Sequence, residues 1–201
     1  MKIENFDRVL VVEGYSDLLF YAEVLEEVGK HGQVFIKELG GKSDLKNKLE
    51  TLVTPSLLAK TALGFIVDAD NDPAQTRQSL EQLLSRLAEQ TVVDGKWTDG
   101  KPKVGLFLVP GGSAKGEIET LVWNSWANDP ANGAQKQCVE SYVKCMGSAD
   151  VHAHSTDKGL IGALLAVRSD EDPRLGPGAR DNVFDLGRPE LEPLLAFLSG
   201  F

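Results

Sequence analysis

The chain reads as an α/β protein: a mostly parallel four-stranded sheet flanked by helices, followed by a helical C-terminal extension. Three observations predict this. Short apolar runs rich in β-branched residues stand at Arg8-Val-Leu-Val-Val12, Ala62-Leu-Gly-Phe-Ile-Val67 and Val104-Gly-Leu-Phe-Leu-Val109. Runs of this kind, bounded by polar residues, Gly or Pro, read as strands buried on both faces. The segments between them have the length and apolar spacing of helices, which makes the connections right-handed crossovers. Beyond about residue 127 the strand signals cease while helical ones continue. The division expected is an α/β domain over residues 1–127 and a helical extension over 128–201 packed on it. The last third carries too few periodic apolar positions for a core of its own.

The elements follow in order. After the strand at 8–12, Ser16 is read as the N-cap of a helix over 17–28, with Leu18, Leu19, Tyr21, Ala22, Leu25 and Val28 on its apolar face and Gly29 as its stop. A strand over 33–38 leaves through Leu39-Gly-Gly-Lys42, and Ser43 or Asp44 opens a helix that Pro55 ends or interrupts. The strand at 62–67 stops at Asp68-Ala-Asp-Asn-Asp72, and Pro73 suits the first turn of a helix reaching about residue 89. Residues 91–102 form a turn-rich excursion, with a hairpin tip around Asp94-Gly95 and Asp99-Gly100. The strand at 104–109 leads through Pro110-Gly-Gly-Ser-Ala-Lys-Gly-Glu-Ile-Glu119 into a helix ending near residue 126. Helices at 134–146 and 157–168, a Pro/Gly/Asp-rich connector at 169–185 and a closing helix at 189–198 complete the chain.

The 201 residues are 42% hydrophobic and 25% charged, ordinary for a water-soluble globular protein. No apolar run approaches the roughly 20 residues of a membrane helix, and the N-terminus lacks the apolar stretch of a signal peptide. Cys138 and Cys145 sit seven apart on one expected helix, about 10 Å along its axis and too far for a disulfide. Packed thiols and a reducing cytoplasm are expected. The net charge of −9 argues against gripping nucleic acid by charge alone. Any such substrate must be held locally or with a partner's help.

The chemistry-bearing residues lie where the strands stop. Glu13 and Asp17 follow the first strand; Asp68 and Asp70 follow the third. Acids there lie at the carboxyl ends of parallel strands, where open α/β sheets keep their ligands. Four carboxylates share a small volume only when protons or cations neutralise them. Oxygen-only ligands suit Mg²⁺ or Mn²⁺. Gly14 permits a backbone bend close to a ligand. Asp68 and Asp70, two residues apart, reach one site only if the chain leaves extended geometry there.

Glu13-Gly-x-x-Asp17 after one strand and Asp68-x-Asp70 after a later one resemble the Toprim domain of topoisomerases, primases, recombination proteins and OLD-type nucleases. The resemblance covers roughly residues 6–127. The whole-chain pattern is similar to small stand-alone Toprim proteins related to the OLD nucleases, through Gly40-Gly41-Lys42, Gly116-Glu-Ile-Glu119-Thr-Leu121 and the helix bearing Lys158 and Leu165. It implies a Toprim-like, Rossmann-like fold with Glu13 as metal ligand or general acid/base and Asp68 and Asp70 as a metal-binding pair. It further implies Asp17 one helical turn past Glu13 and Glu119 from a Gly-x-x-Glu match. One or two Mg²⁺ or Mn²⁺ ions, about 4 Å apart if two, would act on phosphodiesters. OLD nucleases also carry an ATPase domain, so a partner ATPase or defence-system protein is a further expectation here.

Other motifs are weaker. Gly111-Gly-Ser-Ala-Lys-Gly116 lacks the Lys-Ser/Thr ending of a triphosphate loop, because Glu117 follows Gly116. Gly112, Ser113 and Lys115 remain candidates for cradling a single phosphate at a helix N-terminus. Glu117 ranks below Glu119 as a ligand, a first-turn glutamate being ordinary for either. Lys42, Lys115 and Lys158 are candidates for offsetting charge on a phosphoryl group. Lys158 is preferred because related nucleases have a lysine from a later helix near their metals. His152 and His154 alternate as zinc ligands in a strand would, but no third ligand lies at suitable spacing, and loop histidines are expected. Trp97, Trp123 and Trp126 suit base stacking. Packing between sheet and C-terminal helices is the better account of Trp123 and Trp126.

The function expected is divalent-metal-dependent, nuclease-type phosphodiester hydrolysis of DNA or RNA. Two alternatives stand beside it: a non-catalytic metal- and nucleic-acid-binding subunit or effector that depends on a partner ATPase, and a small-molecule phosphoryl hydrolase.

Overall fold

The computed structural model describes residues 2–41, 43–151, 153, 155–168 and 172–201. Its sheet is ordered β2-β1-β3-β5-β4, with β1 Arg8–Val12, β2 Phe35–Glu38, β3 Ala62–Asp68, β4 Lys96–Trp97 and β5 Lys103–Val109. The first four positions are parallel, and β3 and β5 align from Ala62↔Lys103 to Asp68↔Val109. The fifth strand, β4, arises within the excursion and pairs antiparallel with β5. Two residues, one of them a tryptophan, are too short a run to announce themselves by alternation.

Side chains along the strands alternate between two apolar layers, as the period of two demands. Val9, Val11, Leu63, Phe65, Val67, Leu106 and Leu108 face one layer. It is covered by α2 Leu45–Leu52, α3 Pro55–Leu58 and α4 Pro73–Ala88. Leu10, Val12, Ile66, Phe107 and Val109 face the other. Its cover is α1 Tyr15–Glu27, α5 Ile118–Ala127, α7 Thr156–Arg168, α8 Leu175–Arg180 and α9 Glu192–Ser199. The C-terminal third thus shares one apolar cluster with the sheet.

Gly64 and Gly105 are paired across β3 and β5, and their missing side chains leave a slot for aromatic rings. A Cβ at Gly64 would stand 2.6 Å from Phe201, and one at Gly105 2.8 Å from Trp97. Trp97 stacks on Phe197 with centroids 5.0 Å apart and donates its indole N–H to the Phe197 carbonyl at 2.8 Å. Trp123 and Trp126 pack in the same layer, 5.3 Å apart. All three tryptophans thus pack within the fold, Trp123 and Trp126 buried and Trp97 partly so.

Three further expectations are corrected. The connector at 169–185 contains α8, where Gly and Pro read as breakers. Its Gly176 has no room for a side chain against the Leu19 backbone of α1, so glycine is what lets the two helices touch. Cys138 and Cys145 are exposed free thiols rather than packed ones. Their helix, α6 Gly133–Ser148, buries no residue and rests on the core only through Val139 and Val143. Helix α1 begins at Tyr15, so its N-cap is Gly14 and not Ser16. No described helix is long and apolar enough to cross a membrane.

Two glycines in helices should respond oppositely to alanine. Gly176→Ala places a Cβ 2.6 Å from the Leu19 backbone carbon and should destabilise by about 1–3 kcal/mol, as overpacking does. Gly162→Ala meets nothing within 4 Å on α7 and should stabilise by about 0.5–1 kcal/mol. Urea denaturation of the two variants against the parent measures both.

Candidate functional site

Three connections leave the carboxyl ends of parallel strands and meet. After β1, Glu13 is only 7% exposed, and its Oε1 accepts the backbone N–H of Asp68 at 2.9 Å. That one bond joins the first acidic motif to the second. Gly14 needs an N–H partner at the start of α1, and Asp17 supplies it: Oδ2 accepts from Gly14 N at 2.9 Å. A carboxylate at the third position of a helix serves this purpose, so the spacing of Glu13 and Asp17 is also a local folding device. The exit of β2 closes on the same place, with Gly41 N donating to the Glu13 carbonyl at 2.8 Å.

After β3, Asp68 Oδ1 accepts the N–H of Ile118 at 3.1 Å, tying it to the N-terminus of α5. Asp70 has φ 53°, a left-handed conformation that Asp tolerates better than most residues. This turns the chain out of extended geometry, as the spacing of the two aspartates requires. The backbone of Asp70 then bridges to Gly116, with N–O distances of 2.8 and 2.9 Å. Gly116 has φ 130°, and a Cβ there would strike Thr120. The Asp70 backbone thus ties the exit of β3 to the loop before α5. The charges that weigh most on Asp68 come instead from Glu13, Asp17, Glu119 and Lys158.

After β5, Glu119 lies in the first turn of α5, 9% exposed, and its Oε2 is buried without a hydrogen-bond partner. The nearest cation is the Lys158 ammonium on α7 at 3.7 Å, beyond hydrogen-bond reach, so that contact is Coulombic only. Lys158 instead hydrogen-bonds Glu117 Oε2, while Glu117 Oε1 accepts from the Ser155 hydroxyl. The structure thus brings together Glu13, Asp17, Asp68, Glu119 and Lys158. Gly112, Ser113 and Lys115 are exposed on the 110–116 loop, whose Gly112 carbonyl is held by Arg77. Lys42, His152 and His154 lie outside the described residues.

Burial and like charge shape the protonation of this cluster. Burial pushes the Asp68 carboxyl well above its usual range, and repulsion from Glu13, Asp17 and Glu119 adds to it. Burial also raises Asp17 and Glu119, with Lys158 opposing the shift at both. For Lys158, burial alone would lower the pKa, but the hydrogen bond and charge of Glu117, with Glu119, more than offset it and the net shift is upward. Tyr21, one turn beyond Asp17, is fully buried, and burial together with the neighbouring Asp17, Asp68 and Glu13 holds its phenol well above the ordinary value.

The sequence does not single out Ser155, and it offers Glu117 only as a weaker ligand and Tyr21 only as an apolar contact, not as neighbours of this cluster. Ser155 was findable as a helix N-cap, because its hydroxyl accepts the Lys158 N–H at 3.1 Å. Tyr21 lies four residues from Asp17 and so on the same side of α1.

Among the described residues, no group of three or more His, Cys, Asp or Glu side chains stands in metal-binding geometry. The donor set nevertheless fits a hard cation. It is all oxygen, it is crowded enough to favour protonation, and it includes a buried carboxylate oxygen without a hydrogen-bond partner.

Fold and site together define an α/β protein with a carboxylate cluster at the carboxyl edge of its parallel sheet. Residues 7–201 match the family described as "Protein of unknown function (DUF3226)", and the chain belongs to it. No curated protein and no solved structure matches the chain.

The raised carboxyls fix the sign of a pH response. Asp17, Asp68 and Glu119 keep protons in the folded state at pH values where the unfolded chain has released them. Stability of the metal-free protein therefore falls as pH rises from the ordinary carboxylate range near 4 through the raised values. Asp172 and Glu190, lowered by hydrogen bonds from Arg174 and Asn128, complete their opposite contribution below that range. Thermal midpoints in chelator should drop as pH rises above the ordinary carboxylate range. Asp68→Asn, which still accepts from Ile118, should flatten the drop.

Proposed function

We propose that the protein is a divalent-metal-dependent phosphodiesterase of nuclease type, acting on DNA or RNA at a Toprim-like carboxylate site. The observation that carries the reading is the bond from Asp68 N to Glu13 Oε1. It joins the strand exits that carry the Glu-Gly-x-x-Asp and Asp-x-Asp motifs, with Glu119 and Lys158 beside them.

Glu13, Asp17, Asp68 and Glu119 would hold Mg²⁺ or Mn²⁺, as one ion or two, with Asp70 joining them on the resemblance alone. When bound, the ion supplies Lewis acidity and a water of lowered pKa. The chain does the rest. Glu13 would take the proton of the attacking water from a position its bond to Asp68 N fixes; as the new P–O bond forms, the bond to the leaving sugar oxygen breaks and that oxygen takes a proton from solvent. Lys158 presents an ammonium to a non-bridging phosphate oxygen and offsets charge as it builds there. The exposed 110–116 loop, with Gly112, Ser113 and Lys115, meets the neighbouring phosphate, and Lys42 does so on the resemblance alone. The cytoplasm is the proposed setting, consistent with two unpaired cysteines.

A net charge of −9 also favours a second reading. In it the protein is a metal- and nucleic-acid-binding subunit or effector whose turnover needs a partner ATPase or defence-system protein. Hydrolysis of a small-molecule phosphoryl ester is a third.

The test is hydrolysis of single-stranded, double-stranded and structured DNA and RNA with Mg²⁺ or Mn²⁺. Turnover is expected, falling at least about a hundredfold in Glu13→Gln, a variant that can still accept the Asp68 N–H and so keeps the fold. No cleavage of any substrate in either metal would sink the catalytic reading. Nucleic-acid binding that survives in Glu13→Gln without turnover in the parent points to the second.

A further inference from the structure

We propose that Glu117 and Ser155 form a clamp that aims the Lys158 ammonium into the carboxylate cluster, which makes Glu117 a positioning residue and not a metal ligand. The inference rests on the phosphodiesterase reading and assigns one more residue to its site.

Both oxygens of Glu117 are engaged. Oε1 accepts from the Ser155 hydroxyl and Oε2 from the Lys158 ammonium. A carboxylate so committed is badly placed to serve a cation as well. Ser155 is fixed in turn, because its oxygen accepts the Lys158 backbone N–H at 3.1 Å and caps α7. The backbone of Glu117 is held from the other side. Its N–H donates to Thr120 Oγ1 at 3.2 Å, and the Thr120 hydroxyl donates to Asp157 at 2.5 Å. The N-termini of α5 and α7 are thereby locked together through side chains of both helices.

The lock decides where the ammonium points. A lysine has a flexible four-carbon stem and a point charge without preferred direction. Held by Glu117 on one side, the Lys158 ammonium faces Glu119 Oε2 at 3.7 Å on another. Its side chain is 39% exposed, so a further side opens to solvent, where a phosphate oxygen would approach. Glu119, unlike Glu117, has an oxygen without a hydrogen-bond partner. The two first-turn glutamates of α5 thus divide the work: Glu119 serves the cation, Glu117 serves the lysine.

Two measurements on the full chain test this. The first is steady-state hydrolysis of bis(p-nitrophenyl) phosphate with Mn²⁺ by the parent, Glu117→Ala, Lys158→Ala and the double variant. Glu117→Ala should lower kcat about a hundredfold, the scale of losing one preorganised donor, with KM and the Mn²⁺ concentration for half-activation unchanged. The double variant should be no worse than Lys158→Ala alone, because Glu117 acts only through the lysine. Additive losses, or a raised Mn²⁺ requirement, overturn the proposal and make Glu117 a ligand. If Glu117→Ala unfolds, Glu117→Gln keeps one acceptor oxygen for the Lys158 ammonium but removes the charge and the second acceptor, and should show a smaller loss with the same non-additivity. The second is NMR of ¹⁵N-labelled lysine ammonium groups. The Lys158 resonance should be slowed in exchange in the parent and lost in Glu117→Ala. An unchanged resonance overturns the clamp even where hydrolysis is found. A shifted resonance in a protein that hydrolyses nothing leaves the clamp standing and removes the chemistry.

Discussion

The structure is organised around the difficulty of keeping several carboxylates together. Glu13, Asp17, Asp68 and Glu119 repel one another and are largely withdrawn from water. Left to themselves, such groups would swing outward and regain hydration. Three backbone N–H groups prevent this for three of the four. Gly14 holds Asp17, Asp68 holds Glu13 and Ile118 holds Asp68. Each donor lies at a strand exit or a helix start, where the backbone has N–H groups to spare. The parallel sheet is what places those starts side by side, since every crossover returns its next strand end to the same edge.

Holding that edge rigid requires a core on both faces, and the C-terminal third supplies part of the cover on one of them. Leu160, Ile161, Leu164 and Leu165 bury the inner face of α7. The ring cluster of Trp97, Phe197 and Phe201 fills the slot above Gly64 and Gly105. The helix that carries Lys158 is therefore part of the sheet's own packing. A lysine on a loosely attached segment would follow solvent; this one is fixed at its Cα by buried leucines and at its ammonium by Glu117. Packing and electrostatics meet in one residue.

Much of this was readable in the residues, for reasons that can be named. Buried parallel strands need uninterrupted β-branched runs, so 8–12, 62–67 and 104–109 declared themselves. The acids that follow them had to share an edge once the crossovers were right-handed. What was hidden depends on contacts far apart in the chain. Nothing local marks Glu117 as the partner of a lysine 41 residues away. Helix α8 was hidden by its own composition, because Gly176 and Pro177 look like breakers until Leu19 is seen pressed against them. The exposed thiols show the converse. The spacing of Cys138 and Cys145 excludes a bond between them, but burial is decided by whether α6 has a neighbour on that side.

The charge arithmetic of the site gives the last step. Five carboxylates act on one another here, from Glu13, Asp17, Asp68, Glu117 and Glu119, and one ammonium from Lys158 opposes them. Fully ionised, they sum to −5 + 1 = −4, a large part of the −9 of the whole chain. A site of that charge repels a polyanion, and burial and like charge raise the pKa of Asp17, Asp68 and Glu119. Two divalent cations would cancel −4, which reconciles an acidic protein with an anionic substrate on the proposed reading. Lys158 alone cannot do this, and its position suggests a different purpose. On the proposed reading, clamped to Glu117 and part-exposed, it would keep one positive charge in place for a phosphate whether or not the carboxylates have been neutralised.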